Sequence, residues 1–157
     1  MAEEIKKEES FRLVPLYDIK AIWQAFGIIT EGVEECLKNS GTDTSFEKIF
    51  NDAVGGKTLI WVALLDRKYV GFVTTQTIEF PYKKNLYINQ CYKVRGISPL
   101  WLLKGVEILK QWAIEQNCNG VRFYAFRKEW SERLKAAGFG EGYTEYTMDV
   151  EQKTEKK

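Results

Sequence analysis

The sequence predicts an α+β domain built on a mixed central sheet. Two observations carry that class. Alternating and helical periodicities follow one another as strand, two helices, three antiparallel strands, helix, strand, helix and strand. Within that order, residues 85–99 read as an extended aromatic segment, a basic glycine turn and the start of a long helix. No internal repeat or linker interrupts the chain. Its 157 residues suit one domain, with a core from about 11 to 150 and charged, flexible tails at 1–9 and 151–157.

Phe11 to Leu16 is a short strand, with Pro15 near its end where a missing donor is tolerated. From Tyr17 to about Asn39, Ile19, Ile22, Trp23, Phe26, Ile29 and Val33 recur at helical steps. Gly27 and Gly32 interrupt that run and predict a kink, a break, or a close approach by another element. Ser45 can cap a short helix from Phe46 to about Val54, which Gly55 and Gly56 end. Thr58–Leu65 and Tyr69–Phe80 form a hairpin around Asp66, Arg67 and Lys68, with Gly71 marking a bulge or a close crossing. Pro81 to Lys84 turns into the next strand. The long helix runs from Pro99 to about Asn117, and a strand follows at Val121–Ala125. A helix from Arg127 to Ala137 is closed by Gly138, and Tyr143 to Val150 alternates as a last strand.

Composition bounds the function. With 45% hydrophobic residues the chain can bury a real core, and a formal charge of +1 argues against a broad nucleic-acid face. No run of about 18 apolar residues predicts a membrane span, and the N-terminus lacks the basic-then-apolar layout of a signal peptide. Three widely spaced cysteines and no histidine argue against a disulfide framework or a metal site. A reduced, cytoplasmic setting is the expectation.

The junction at 85–99 is where chemistry concentrates. A turn opening into a helix gathers unpaired N–H groups and the positive end of the helix dipole, which together suit phosphate. Lys93 and Arg95 add charge, Gly96 allows close backbone approach, and Pro99 suits a first helical position. Lys93-Val94-Arg95-Gly96-Ile97-Ser98 resembles the Arg/Gln-x-x-Gly-x-Gly/Ala loop of the GCN5-related N-acetyltransferases (GNAT), with Lys93 and Ser98 departing from it. The segment Tyr69-Val70-Gly71-Phe72 resembles that family's third strand, and Lys135 to Phe139 its last helix end. The element order from Phe11 to Val150 is similar to the whole fold.

The resemblance implies α/β/α layers in which the fourth and fifth strands splay apart. It implies acetyl-CoA as co-substrate, its pyrophosphate held by Lys93, Val94, Arg95, Gly96, Ile97 and Ser98, and its pantetheine arm on backbone groups of Ile88 and Gln90. Lys83, Lys84 and Lys104 would join Lys93 and Arg95 on the cofactor side. The acceptor would be a small-molecule or protein amine, a homodimer is compatible with it, and no metal is implied. The tyrosine acid of many members falls at Leu134, and an accompanying asparagine at Arg127, with Trp130 in place of a small residue. Without histidine, the base candidates are Glu79 and Tyr82, with Tyr124 and Tyr143 as further proton donors. Cys91 lies beside the expected thioester path, as wall or nucleophile. Trp23 and Phe26 are core or acceptor-pocket residues. Two functions follow: an acyl-CoA-dependent N-acyltransferase, or a binding or structural protein that keeps the scaffold without catalysis.

Overall fold

A computed structural model describes residues 10–39, 44–123, 128–140 and 148. The order is β1 (Phe11–Leu16), α1 (Ile19–Asn39), α2 (Phe46–Val54), β2 (Leu59–Leu65), β3 (Lys68–Glu79), β4 (Lys84–Lys93), α3 (Leu100–Glu115), β5 (Gly120–Phe123) and α4 (Lys128–Ala136). All of the sequence-predicted last strand but Met148 lies outside the described residues, as do Arg127, Tyr124, Tyr143 and the side chain of Trp130.

The five strands lie in chain order, the first four antiparallel and β5 parallel to β4. Only a crossover can deliver a parallel neighbour, and α3 makes it. Successive strand residues point to opposite faces, so Ile60 and Trp61, like Phe72 and Val73, serve separate cores. On one face α1 and α2 set Ile22, Phe26, Ile29 and Ile49 against Ile60 and Phe72. On the other, Leu109 and Ala113 of α3 meet Trp61, Val73, Leu86 and Ile88. Each large side chain buried this way contributes about 1.5–3 kcal/mol.

Helix ends follow local chemistry. Asp18 Oδ1 accepts from the Ala21 N–H at 2.8 Å, and Ser45 Oγ from the Lys48 N–H at 3.1 Å. The first cap moves the start of α1 two residues past the expected Tyr17. Gly56, Asn117 and Gly138, all at positive φ, terminate α2, α3 and α4. At Gly138 the Phe139 N–H reaches Leu134 O at 3.0 Å, and the Gly138 N–H reaches Lys135 O at 3.0 Å, the paired bonds of a Schellman end.

The two glycines of α1 resolve differently. The helix runs through both without a break. A Cβ on Gly27 would meet nothing within 4 Å, whereas one on Gly32 would sit 2.7 Å from Tyr92 Cγ and 2.8 Å from Phe72 Cε1. Gly32 therefore marks a close approach of α1 to the sheet. Gly71 combines both expected roles: Val70 is the extra residue where the β2–β3 register shifts, and a Cβ on Gly71 would overlap the Tyr92 carbonyl.

Candidate functional site

One irregularity organises β4. Thr74 pairs with Gln90 but Thr75 pairs with Ile88, so Asn89 is an extra residue on β4. The side chains record it. Leu86, Ile88 and Cys91 all join the core beneath α3, and a step of three replaces the usual two. Beyond the bulge, Gln90 is anchored to β3: its N–H donates to Thr74 Oγ1 at 3.1 Å, and its side-chain oxygen accepts from the same hydroxyl. Asn89 Nδ2 donates to Gln76 Oε1 at 3.4 Å. Pairing between β4 and β5 runs from Asn85 to Ile88. Among the described residues, Asn89–Lys93 has a strand on its β3 side only. The Cys91 carbonyl there accepts from the Cys36 thiol at 3.6 Å.

The loop that follows is shaped by its own lysine. Lys93 Nζ donates to Ile97 O at 2.6 Å and to Val94 O at 3.4 Å. The Val94 N–H is taken by Val70 O at 2.9 Å and the Ile97 N–H by Val94 O at 3.3 Å. Among the described residues no acceptor meets the N–H of Arg95, Gly96 or Ser98. These three residues are exposed. Gly96 has φ +85, and an added Cβ there would meet nothing within 4 Å. Ser98 begins α3 as its cap, its hydroxyl accepting from the Leu100 N–H at 3.3 Å and its carbonyl from the Trp101 N–H at 3.2 Å. The departure from Gly/Ala at Ser98 is thus a helix-starting feature. Pro99, at φ −64 and ψ −13, is already helical, as expected of a first position.

The basic cluster does not converge. Lys84 Nζ donates to Gln116 O at 2.8 Å, at the far end of α3, and Lys104 lies over the Trp101 ring. Lys93 is turned into its loop. Arg95 is exposed, with no hydrogen-bond or ion-pair partner among the described residues. Glu79 faces Lys84 across the hairpin, and Tyr82 is 99% exposed in the turn between β3 and β4. Both therefore sit about 16 Å of strand from Asn89, beyond direct hydrogen-bond reach of it. Leu134 is 8% exposed, part of the core. Phe26 is buried, while Trp23 stays 64% exposed with its ring edge-on to Phe50 at 4.8 Å.

Tyr92 and Tyr69 are the phenols sequence reasoning passed over. Tyr92 lies on β4 past the bulge, against Gly32 and Phe72. Burial first, and then Glu35 and Glu31 of α1, raise its pKa. Burial raises that of Tyr69 too, and the Tyr69 hydroxyl is buried with no hydrogen-bond partner. Both keep their protons at neutral pH. Burial also pushes the Cys91 thiol up to about 12, which makes it a wall and not a nucleophile.

No protein-family model matches the chain, and no curated protein matches it in sequence. Crystal structures do match in three dimensions. One is an aminoglycoside acetyltransferase from an uncultured soil metagenomic sample in complex with sisomicin, at 17% identity and a TM-score of 0.67, covering 90% of this chain and 97% of that one. A predicted acetyltransferase with acetyl-CoA from Clostridium acetobutylicum matches at 16% identity and 0.65, covering 89% and 96%. Glucosamine-6-phosphate N-acetyltransferase from Arabidopsis thaliana matches at 15% and 0.62, covering 91% and 100%. The likeness establishes the fold: this chain has the GCN5-related N-acetyltransferase fold. Among the described residues no group of three or more His, Cys, Asp or Glu is placed to hold a metal, and no helix is long and apolar enough to cross a membrane.

Proposed function

We propose that the chain is an acyl-CoA-dependent N-acyltransferase, with acetyl-CoA as the reference donor. The observation that carries this is one strand bearing two features in series: a bulge at Asn89 and, directly after the strand ends at Lys93, a loop with N–H groups on exposed residues that have no acceptor among the described residues. The pyrophosphate would rest on the N–H groups of Arg95, Gly96 and Ser98, with the Arg95 side chain adding charge from outside. The space over Gly96 fits such an anion, because no side chain fills it. The pantetheine arm would lie along the outer edge of β4 from Ile88 past Gln90 to Lys93. In the reaction the amine nitrogen bonds to the thioester carbonyl carbon, the carbon–sulfur bond breaks, and the amine's proton ends on the leaving thiolate.

With Leu134 in the core, that final proton must come from another group. Tyr92, protonated and on the strand itself, is the residue we assign to it. Glu79 can serve as base only through a chain of waters. The acceptor is an amine. Two fold neighbours named for an aminoglycoside and an amino-sugar phosphate support a small-molecule one. Three free thiols suit a reducing, cytoplasmic compartment. Titration calorimetry with CoA tests the reading. Wild type should bind and Arg95→Glu should bind at least tenfold more weakly. Absence of heat at millimolar CoA would remove it.

A further inference from the structure

We propose that the acyl group accepted at this site is longer than acetyl, and that its chain enters an apolar cavity beneath the first half of α3. This rests on the acyl-CoA reading above. The cavity, of about 60 Å³, lies between Val73, Ile88 and Cys91 of the sheet and Leu102, Gly105 and Val106 of α3. Lys93 and Ile97 of the loop also border it. It thus follows the same stretch of β4 that would carry the pantetheine arm, on the α3 side of the sheet.

Three properties point to a hydrocarbon occupant. Apart from Tyr92, the exposed Arg133 and the unreactive Cys91 thiol the walls are apolar, and the Lys93 ammonium is occupied by the carbonyls of Val94 and Ile97. Water between the sheet and Gly105 would find few of the two to four polar partners it needs, whereas an apolar group gains by leaving solvent. The volume holds about two water-sized groups at roughly 30 Å³ each, more than an acetyl methyl fills. Gly105 sets the width. An added Cβ there would have Phe11 Cζ at 3.9 Å as its nearest neighbour, an ordinary contact, so no clash excludes alanine and the missing side chain leaves the cavity open.

The test is calorimetry with CoA, acetyl-CoA, butyryl-CoA and hexanoyl-CoA. Affinity should rise about fourfold per added methylene from acetyl to butyryl and level off by hexanoyl. Gly105→Leu, which fills the cavity, should make acetyl-, butyryl- and hexanoyl-CoA bind alike. Should that variant not fold, Gly105→Ala should end the gain about one carbon sooner. Equal wild-type affinity across the acyl series would overturn the chain site while leaving the acyl-CoA reading standing. Failure of all four compounds to bind would overturn both.

Discussion

The two ends of β4 both carry a lysine, and the two lysines do different work. At the first end, Lys84 is closed in on every side. Its N–H donates to Asn119 Oδ1 at 2.9 Å, its carbonyl accepts from the Asn119 N–H at 2.6 Å, and its ammonium sits on Gln116 O. At the other end, Lys93 turns its ammonium onto the carbonyls of its own loop, and three nearby N–H groups on exposed residues have no acceptor among the described residues. The bulge at Asn89 separates these regimes. A cluster of basic residues in sequence is therefore a poor guide to an anion site. Backbone donors left over after the lysines have found carbonyls are a better one.

The largest expected effect breaks the comparison by pH. Of the groups held protonated by burial, Cys91, Tyr92 and Tyr69 lie at the Lys93 half of the sheet and Cys118 alone lies at the Lys84 end. Their folded pKa values are raised, so their stabilisation is complete below the unfolded values of 9.0 for the thiols and 10.0 for the phenols. It is lost as pH climbs through the folded values. Thermal denaturation should show a fall in stability beginning near pH 9 and growing to a few kcal/mol. Cys91→Val should shrink the fall, and Cys91→Val combined with Cys118→Val should delay its onset by about one pH unit.

Next comes Gly96→Val. A β-branched residue at φ +85 distorts the loop and fills the space over it, so CoA affinity should drop by about 100-fold or more. Circular dichroism should be unchanged, because nothing packs there. Lys93→Met against Lys84→Met sharpens the contrast directly. The first should weaken CoA binding about tenfold by releasing the loop carbonyls, and Lys93→Gln, which retains a donor, should recover part of it. The second should change affinity by less than twofold.

Gly32→Ala and Gly27→Ala carry the comparison onto α1. Crowding against Tyr92 and Phe72 should make the first destabilising by about 1–3 kcal/mol, while the second should stabilise by up to about 1 kcal/mol. Both are read from chemical denaturation. The smallest effect belongs to the Lys84 end: Glu79→Gln and Tyr82→Phe should leave CoA affinity unchanged and lower amine acetylation by no more than about threefold.

Much of the fold was legible because it is local. Ser45, the glycines at 56 and 138, and the Asp66–Arg67 turn announce their positions by chemistry acting within a few residues. The start of α1 was readable too, had Asp18 been taken as its cap. The Asn89 bulge left a signal in the apolar steps 86, 88 and 91, a spacing that no unbroken strand can place on one face. Lys93 was not legible as a loop brace, since its partners are carbonyls that every residue has. Glu79 and Tyr82 stood out because Glu79 is the only carboxylate between Arg67 and Val106 and the resembled family often takes its base from that region. A hairpin turn and the exit of its second strand must lie at opposite ends of that strand, and this alone separates them from the loop.

The central claim is that the Lys93 end of β4, bulge and loop together, is where a CoA thioester binds. Amide hydrogen exchange, followed residue by residue with and without CoA, tests it most directly. Arg95, Gly96 and Ser98 should exchange rapidly in the free protein and become strongly protected by CoA, with protection extending back to Asn89 and little change at residues 79–86. Exchange at residues 89–98 that is unaltered by saturating CoA, or protection centred on the Lys84 end, would contradict it.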